Sequence, residues 1–247
     1  MQERRFFYDP EPGSDGGVLT ADEAAHALRV LRLGAGDPLH VIDGRGNLIA
    51  ATITETTRHE CRYHADHVEH HDRPWPYPIH LSVAPTKNID RMEWLVEKAT
   101  EIGVDRITFL DCQFSERRVI KPERLRKIAI AAMKQSHKLY LPQIDDMQPF
   151  ARFFDQSQGP TFIAHCYDDG DLLGPAGKPF LLDALSHSDA PCLTVAIGPE
   201  GDFSAEEVRL ALSKGSQPVS LGTSRLRTET AALVAVHLMQ IAERESR

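Results

Sequence analysis

Apolar and polar positions change their rhythm near residue 72, and the change divides the chain into two sets of elements. Ahead of it the pattern is short and strand-like. The runs 39–43 and 48–54 predict two strands, and GRGN over 44–47 predicts a hairpin-type turn between them. Residues 21–31 carry helical spacing, with Thr20 and Glu23 placed as a capping box and Gly34 and Gly36 as the stop. A small β-barrel follows. The segment DRPWPYP over 72–78 holds Pro74, Pro76 and Pro78, which disfavour helix and interior strand alike. It predicts a boundary between domains 1–73 and 74–247.

Beyond the boundary, strands and helices alternate. Strands are predicted over 79–84, 106–111, 161–165, 192–197 and 217–221. A helix over 90–102 buries Met92, Leu95, Val96, Ala99 and Ile102 on one face, with Asp90 as cap and Gly103 as stop. Further helices are predicted over 122–138, over 204–214 with a Ser204/Glu207 capping box, and over 228–243. The last is apolar nearly all round, so His237 reads as a packed core or interface histidine. Alternation of this kind implies an α/β fold with a mainly parallel sheet and helices on both faces.

Ligands of such sheets bind beyond the carboxyl ends of the strands. Two glycine-bearing loops lie there: IGPEGDF over 197–203 and LGTSRLRTET over 221–230. In the first, Gly198 and Gly201 permit positive φ and close backbone approach, and Glu200 is a lone charge between them. In the second, Arg225 and Arg227 feed a helix N-terminus at Thr228, Glu229 and Thr230, where unpaired N–H groups favour anions. Each loop alone is also readable as an ordinary capped turn. Their shared position makes them one candidate pocket.

Charge and composition add three constraints. The 247 residues carry a formal net charge of −8, which opposes a nucleic-acid partner, yet residues 117–138 hold eight basic residues against the single acid Glu123. Cys61, Cys112, Cys166 and Cys192 form no C-x-x-C pair and read as reduced thiols in or near strands. His59, His64, His67, His70 and His71 fall on a stretch expected to be strand, where their side chains do not converge on a metal. With no membrane-length apolar run and no secretory leader, the expected location is cytoplasmic.

Six ordered motifs carry a resemblance. They are RRFF over 4–7, HALRVLRLGAGD over 26–37, KNIDRMEWLVEKATEIGV over 87–104, SERR over 115–118, IGPEGDF over 197–203 and LGTSRLRTETAAL over 221–233. Together they resemble the RsmE family of 16S ribosomal RNA (uracil-N3)-methyltransferases. The resemblance implies an N-terminal PUA-like RNA-binding barrel and a C-terminal SPOUT domain. That domain is expected to bind S-adenosyl-L-methionine in a trefoil knot, to form a homodimer and to use no metal or membrane. Carried over by position, Ile197, Gly198, Pro199, Glu200, Gly201, Leu221, Gly222, Leu226 and Arg227 would bind the cofactor. Arg4, Arg5, Arg29, Arg32, Arg117, Arg118, Lys134 and Lys138 would bind RNA of the small ribosomal subunit. Asp202 stands where the family's run has a second glycine, and KQSHK over 134–138 departs from the family's middle helix.

Uracil N3 is a poor nucleophile while protonated, so methylation there requires proton removal and stabilisation of the anion. Arg227 is the expected anion stabiliser, with Glu229 or Glu200 as proton acceptor. Phe6, Phe7 and Tyr8 are candidates for stacking on bases, or alternatively anchor the first strand in the barrel. A SPOUT enzyme acting on ribose 2′-OH or transfer RNA, and a non-catalytic PUA-domain assembly factor, remain open at this level.

Overall fold

The computed structural model describes residues 5–157, 159–168, 170–173, 177–186 and 192–245. The chain separates into two compact units. One comprises Met1–Pro74 with Ile130–Leu141, the other Trp75–Ala129 with Pro142–Arg247.

The first unit contains β1 (Phe6–Tyr8), β2 (Gly16–Val18), α1 (Ala21–Ala25), β3 (Pro38–Ile42), β4 (Asn47–Thr56) and β5 (Cys61–His70). They form one sheet in the order β1-β3-β4-β5-β2, with β1 parallel to β3 and the other pairs antiparallel. The sheet curls back toward its first strand: the Tyr63 hydroxyl on β5, beside the edge strand β2, donates to the Asp9 carboxylate just after β1, at 2.7 Å. Phe7, Leu39, Val41, Ile49, Ile53 and Tyr63 fill the interior of that curl. Phe6 and Tyr8, on the opposite pleat of β1, pack with Ile42 and Met133. All three N-terminal aromatics are therefore core residues and cannot stack on bases. The first helix also departs from expectation. It passes into a π-turn over His26–Val30, and Thr20 makes no side-chain cap. Glu23 is instead buried and takes the Lys134 ammonium at 2.6 Å.

The second unit contains β6 (Ile79–Val83), α2 (Ile89–Ile102), β7 (Arg106–Asp111), the start of α3 (Pro122–Gln135), β8 (Gln143–Pro149), α4 (Phe150–Gln156), β9 (Thr161–Ala164), α5 (Leu181–Ser186), β10 (Leu193–Ile197), α6 (Ala205–Ser213), β11 (Gln217–Val219) and α7 (Thr228–Glu245). The sheet order is β11-β9-β10-β6-β7-β8, and every pairing is parallel. β6 and β10 are wholly buried, as strands covered on both faces must be.

Helix ends follow local chemistry with one shift. Asn88, not Asp90, caps α2 by accepting the Asp90 N–H, and Gly103 closes it. The Ser204/Glu207 capping box on α6 is formed as expected. α7 packs on α2, α5, β6 and β10. His237 points to solvent rather than into this core. The four cysteines are free thiols. Among the described residues, no helix is long and apolar enough to cross a membrane.

Candidate functional site

β10 and β11 both pair with β9, so the three strands end side by side. Their carboxyl ends open into a cleft of about 540 Å³ bounded by Ile197, Val219, Leu221, Gly222, Leu226 and Ala231. A contiguous recess of about 360 Å³ adds Gly198, Pro199, Glu200 and Arg227. Of the nine residues assigned to the cofactor by resemblance, all but Gly201 line this space.

The third wall is one that sequence reasoning missed. Ala164 ends β9, His165, Cys166 and Asp168 follow it, and Lys178 backs them. These residues belong to no recognised motif; their only signal was position at the end of the strand predicted over 161–165 or just beyond it. The loop is pinned from both sides. Lys178 Nζ donates to the His165 carbonyl at 3.1 Å and the Tyr167 carbonyl at 2.9 Å. Asp202 accepts the Cys166 N–H at 2.8 Å, and the Tyr167 hydroxyl donates to the Phe203 carbonyl at 2.9 Å.

Backbone conformation in the first loop is redistributed relative to expectation. Gly198 and Gly201 do not adopt positive φ; Asp202 does, at 68°. Gly198 is required for close approach, because a Cβ there would lie 3.0 Å from the Phe203 nitrogen. Asp202 tolerates the left-handed conformation and holds it by accepting its neighbour Phe203's N–H at 2.8 Å.

His165 is buried beside the cleft, and neither ring nitrogen finds a partner of normal geometry among the described residues. Burial, helped by the Lys178 ammonium, holds its imidazole below the usual range. A neutral ring with an unused donor and acceptor suits a polar ligand edge. Burial and the Asp202 carboxylate push the Cys166 thiol up, which disfavours thiolate chemistry there. An apolar floor, glycine-lined loops and a few unsatisfied polar atoms fit an adenosyl ligand with a charged tail.

The three expected catalytic residues separate. Arg227 and Glu200 are exposed at the cleft wall, and Glu200 accepts the Lys87 N–H at 3.2 Å. Glu229 is buried in the first turn of α7, faces Arg91 at 3.6 Å and does not line the cleft.

The expected RNA residues also divide. Arg4 lies outside the described residues. Arg5, Arg29 and Arg32 are exposed on the first unit. Arg117 donates to the Thr86 and Lys87 carbonyls, Arg118 pairs with Asp111, and Lys134 pairs with buried Glu23. Lys138 is half-buried. The strongly basic segment is thus in large part internally paired.

Known proteins carry the same architecture. An RNA methyltransferase domain family matches residues 73–240, and an RNA methyltransferase PUA domain matches residues 19–62. The ribosomal RNA small subunit methyltransferase E of Synechocystis sp. is 31% identical over 89% of this chain and 71% of its own length. The crystal structure of a probable rRNA-methyltransferase from Porphyromonas gingivalis is 41% identical, covers 98% of this chain and 100% of its own, and superposes with a TM-score of 0.87. A ribosomal RNA small subunit methyltransferase E from Neisseria gonorrhoeae, solved bound to S-adenosyl methionine, is 27% identical with a TM-score of 0.78 over 97% of this chain and 98% of its own. With its strand-end cleft intact and its matches running through both units, the chain belongs to the RNA methyltransferase family that includes the ribosomal RNA small subunit methyltransferase E proteins.

Proposed function

We propose that the chain transfers a methyl group from S-adenosyl-L-methionine to N3 of a uridine in 16S ribosomal RNA of the small ribosomal subunit. The observation that carries this reading is the single cleft at the ends of β9, β10 and β11, lined by both glycine loops and carrying Arg227 at its wall. Ile197, Gly198, Pro199, Leu221, Gly222 and Leu226 would hold the cofactor, and His165 offers a polar contact. When bound, S-adenosylmethionine supplies a methyl group already activated on its sulfonium.

The chain's own residues then have two tasks, to align the uracil edge and to manage its proton. The N3 edge is used in base pairing, so the target base must be unpaired or flipped out. Arg227 offsets the negative charge that develops on the uracil oxygens, and Glu200 accepts the proton. Glu229 is a positioning residue: paired with Arg91, it orients the first turn of α7 directly after Arg227. The exposed Arg5, Arg29 and Arg32 supply phosphate contacts on the PUA-like unit, while Lys134 serves the fold through Glu23.

The same reading includes a trefoil-knotted SPOUT arrangement, supported by the return of the chain from β11 to α7 against β6 and β10. It also includes a homodimer through the second unit, supported by the exposed His237 among half-buried Leu233, Val234 and Ile241 on α7. Isothermal titration with S-adenosylhomocysteine tests the cofactor assignment. Binding is expected for the wild-type chain, with weaker binding for Gly198→Val, whose added bulk meets the Phe203 backbone. Absence of binding to the wild-type chain would remove the methyltransferase reading and favour a non-catalytic RNA-binding factor.

A further inference from the structure

Phe114 is a large apolar side chain left 46% exposed. Isolated apolar residues on a surface are ordinary. This one differs in how firmly it is held and in what it adjoins. It sits between Gln113 and Ser115 in the loop after β7. The Gln113 N–H donates to Glu207 Oε1 at 2.8 Å, while the other oxygen of Glu207 accepts the Ser204 N–H at 2.8 Å and so caps α6. One carboxylate therefore ties the Phe114 loop to the helix that follows the first glycine loop. On the other side, Cys112 N–H donates to Ser115 Oγ at 3.1 Å, Ser115 N–H returns to the Cys112 carbonyl at 3.1 Å, and Arg118 donates to the Gln113 carbonyl at 3.2 Å.

The ring's neighbour is Gly201. A Cβ at Gly201 would lie 3.1 Å from Phe114 Cβ and 3.7 Å from its ring. Gly201 is the one assigned loop residue that does not line the cleft, and its neighbour Glu200 does. Gly201 thus seats an aromatic ring against the residue next to Glu200, which with Arg227 lines the recess. A base drawn out of its stack loses its aromatic neighbours, and an exposed, pre-positioned ring restores one at little conformational cost.

We propose that Phe114 is the stacking platform for an unpaired RNA base at the mouth of the cleft, positioned there by Glu207 and Gly201. The inference rests on the methyltransferase reading above. Its occupant is a nucleobase of the substrate strand, recognised through its π-face and not through hydrogen bonds.

The test compares wild type with Phe114→Ala, Phe114→Leu and Phe114→Trp in the full-length chain. Readouts are S-adenosylhomocysteine binding, affinity for 16S ribosomal RNA by filter binding, KM and kcat for methyl transfer, and mass by light scattering. The alanine and leucine variants are expected to bind RNA and show KM values weaker by on the order of ten- to a hundred-fold. The tryptophan variant should stay near wild type and show fluorescence quenching by RNA beyond that of the wild-type chain. Cofactor affinity and mass should not change. RNA binding unaffected by Phe114→Ala would overturn the proposal, as would full rescue by leucine, which would mean apolar bulk suffices. A lower oligomeric mass for Phe114→Ala would overturn it in favour of a subunit contact. Failure of the wild-type chain to bind S-adenosylhomocysteine would overturn the methyltransferase reading itself, while the RNA-binding comparison still decides the role of the ring.

Discussion

Replacing Asp202 by alanine removes the carboxylate that accepts the Cys166 and Phe203 N–H groups, both at 2.8 Å. Hydrogen bonds to a charged acceptor contribute about 1.5–3 kcal/mol each. Asp202 is half-buried, so water recovers part of that, and about 2 kcal/mol for the pair is the working figure. Alanine at φ 68° adds steric strain of about 1 kcal/mol. Asp202→Ala should therefore cost about 3 kcal/mol. Asp202→Gly deletes the same contacts but relieves the left-handed conformation, and should cost about 1 kcal/mol. Both variants free the third wall of the cleft, so S-adenosylhomocysteine should bind several-fold more weakly to each. Urea denaturation followed by calorimetric titration separates the two effects. Equal stability losses for alanine and glycine would refute the conformational part of the reasoning. Wild-type cofactor affinity in both would refute the idea that Asp202 shapes the cleft.

Other expectations reach further from the site. Glu23→Ala leaves Lys134, whose side chain is only 20% exposed, without its carboxylate, and should destabilise the chain by about 3 kcal/mol. Adding Lys134→Met should recover most of that loss in a thermal melt; no recovery would mean the pair is not the source. Burial, with a smaller push from Arg106, lowers the His80 imidazole to about 4 from its ordinary value of 6.5. The unfolded chain then takes up this proton first, so His80 stability is complete above pH ~6.5 and is lost as pH falls toward ~4, about 3 kcal/mol in all. His80→Gln should flatten that part of the stability profile, and an unchanged profile would exclude His80 as its cause. Arg227→Ala should lower kcat by about 10²-fold with S-adenosylhomocysteine affinity nearly intact; full turnover would rule out its charge-stabilising role. RNA affinity should fall as salt rises, but less steeply than a phosphate track through all eight basic residues of 117–138 would require, because Arg117, Arg118 and Lys134 are internally paired.

What the sequence disclosed depended on how local its cause was. The Ser204/Glu207 box is complete within three residues and was legible. The similar Thr20/Glu23 pattern failed because Glu23 answers to Lys134, which is 111 residues away. The parallel strands of the second unit announced themselves through continuous apolar runs. β8 did not, being a largely polar edge strand, QIDDMQP, and α4 and α5 are too short to show a helical period. Two walls of the cleft were visible as glycine loops at strand ends. The third, His165 to Asp168, needed the strand order, since only the placement of β9 between β10 and β11 brings it to the cleft. Likewise Glu229 shares a motif with Arg227 but not a surface, because the first turn of α7 rotates it toward Arg91.

The most direct measurement is the position of the methyl group. Purified small ribosomal subunits and protein-free 16S RNA are incubated with the chain and methyl-labelled S-adenosylmethionine, and the nucleosides are then resolved by mass spectrometry. A single labelled product, 3-methyluridine, formed about 10²-fold more slowly when Arg227→Ala replaces the wild-type chain, is the predicted result. Label on a ribose 2′-oxygen or another base, or no label on either substrate despite cofactor binding, would contradict it.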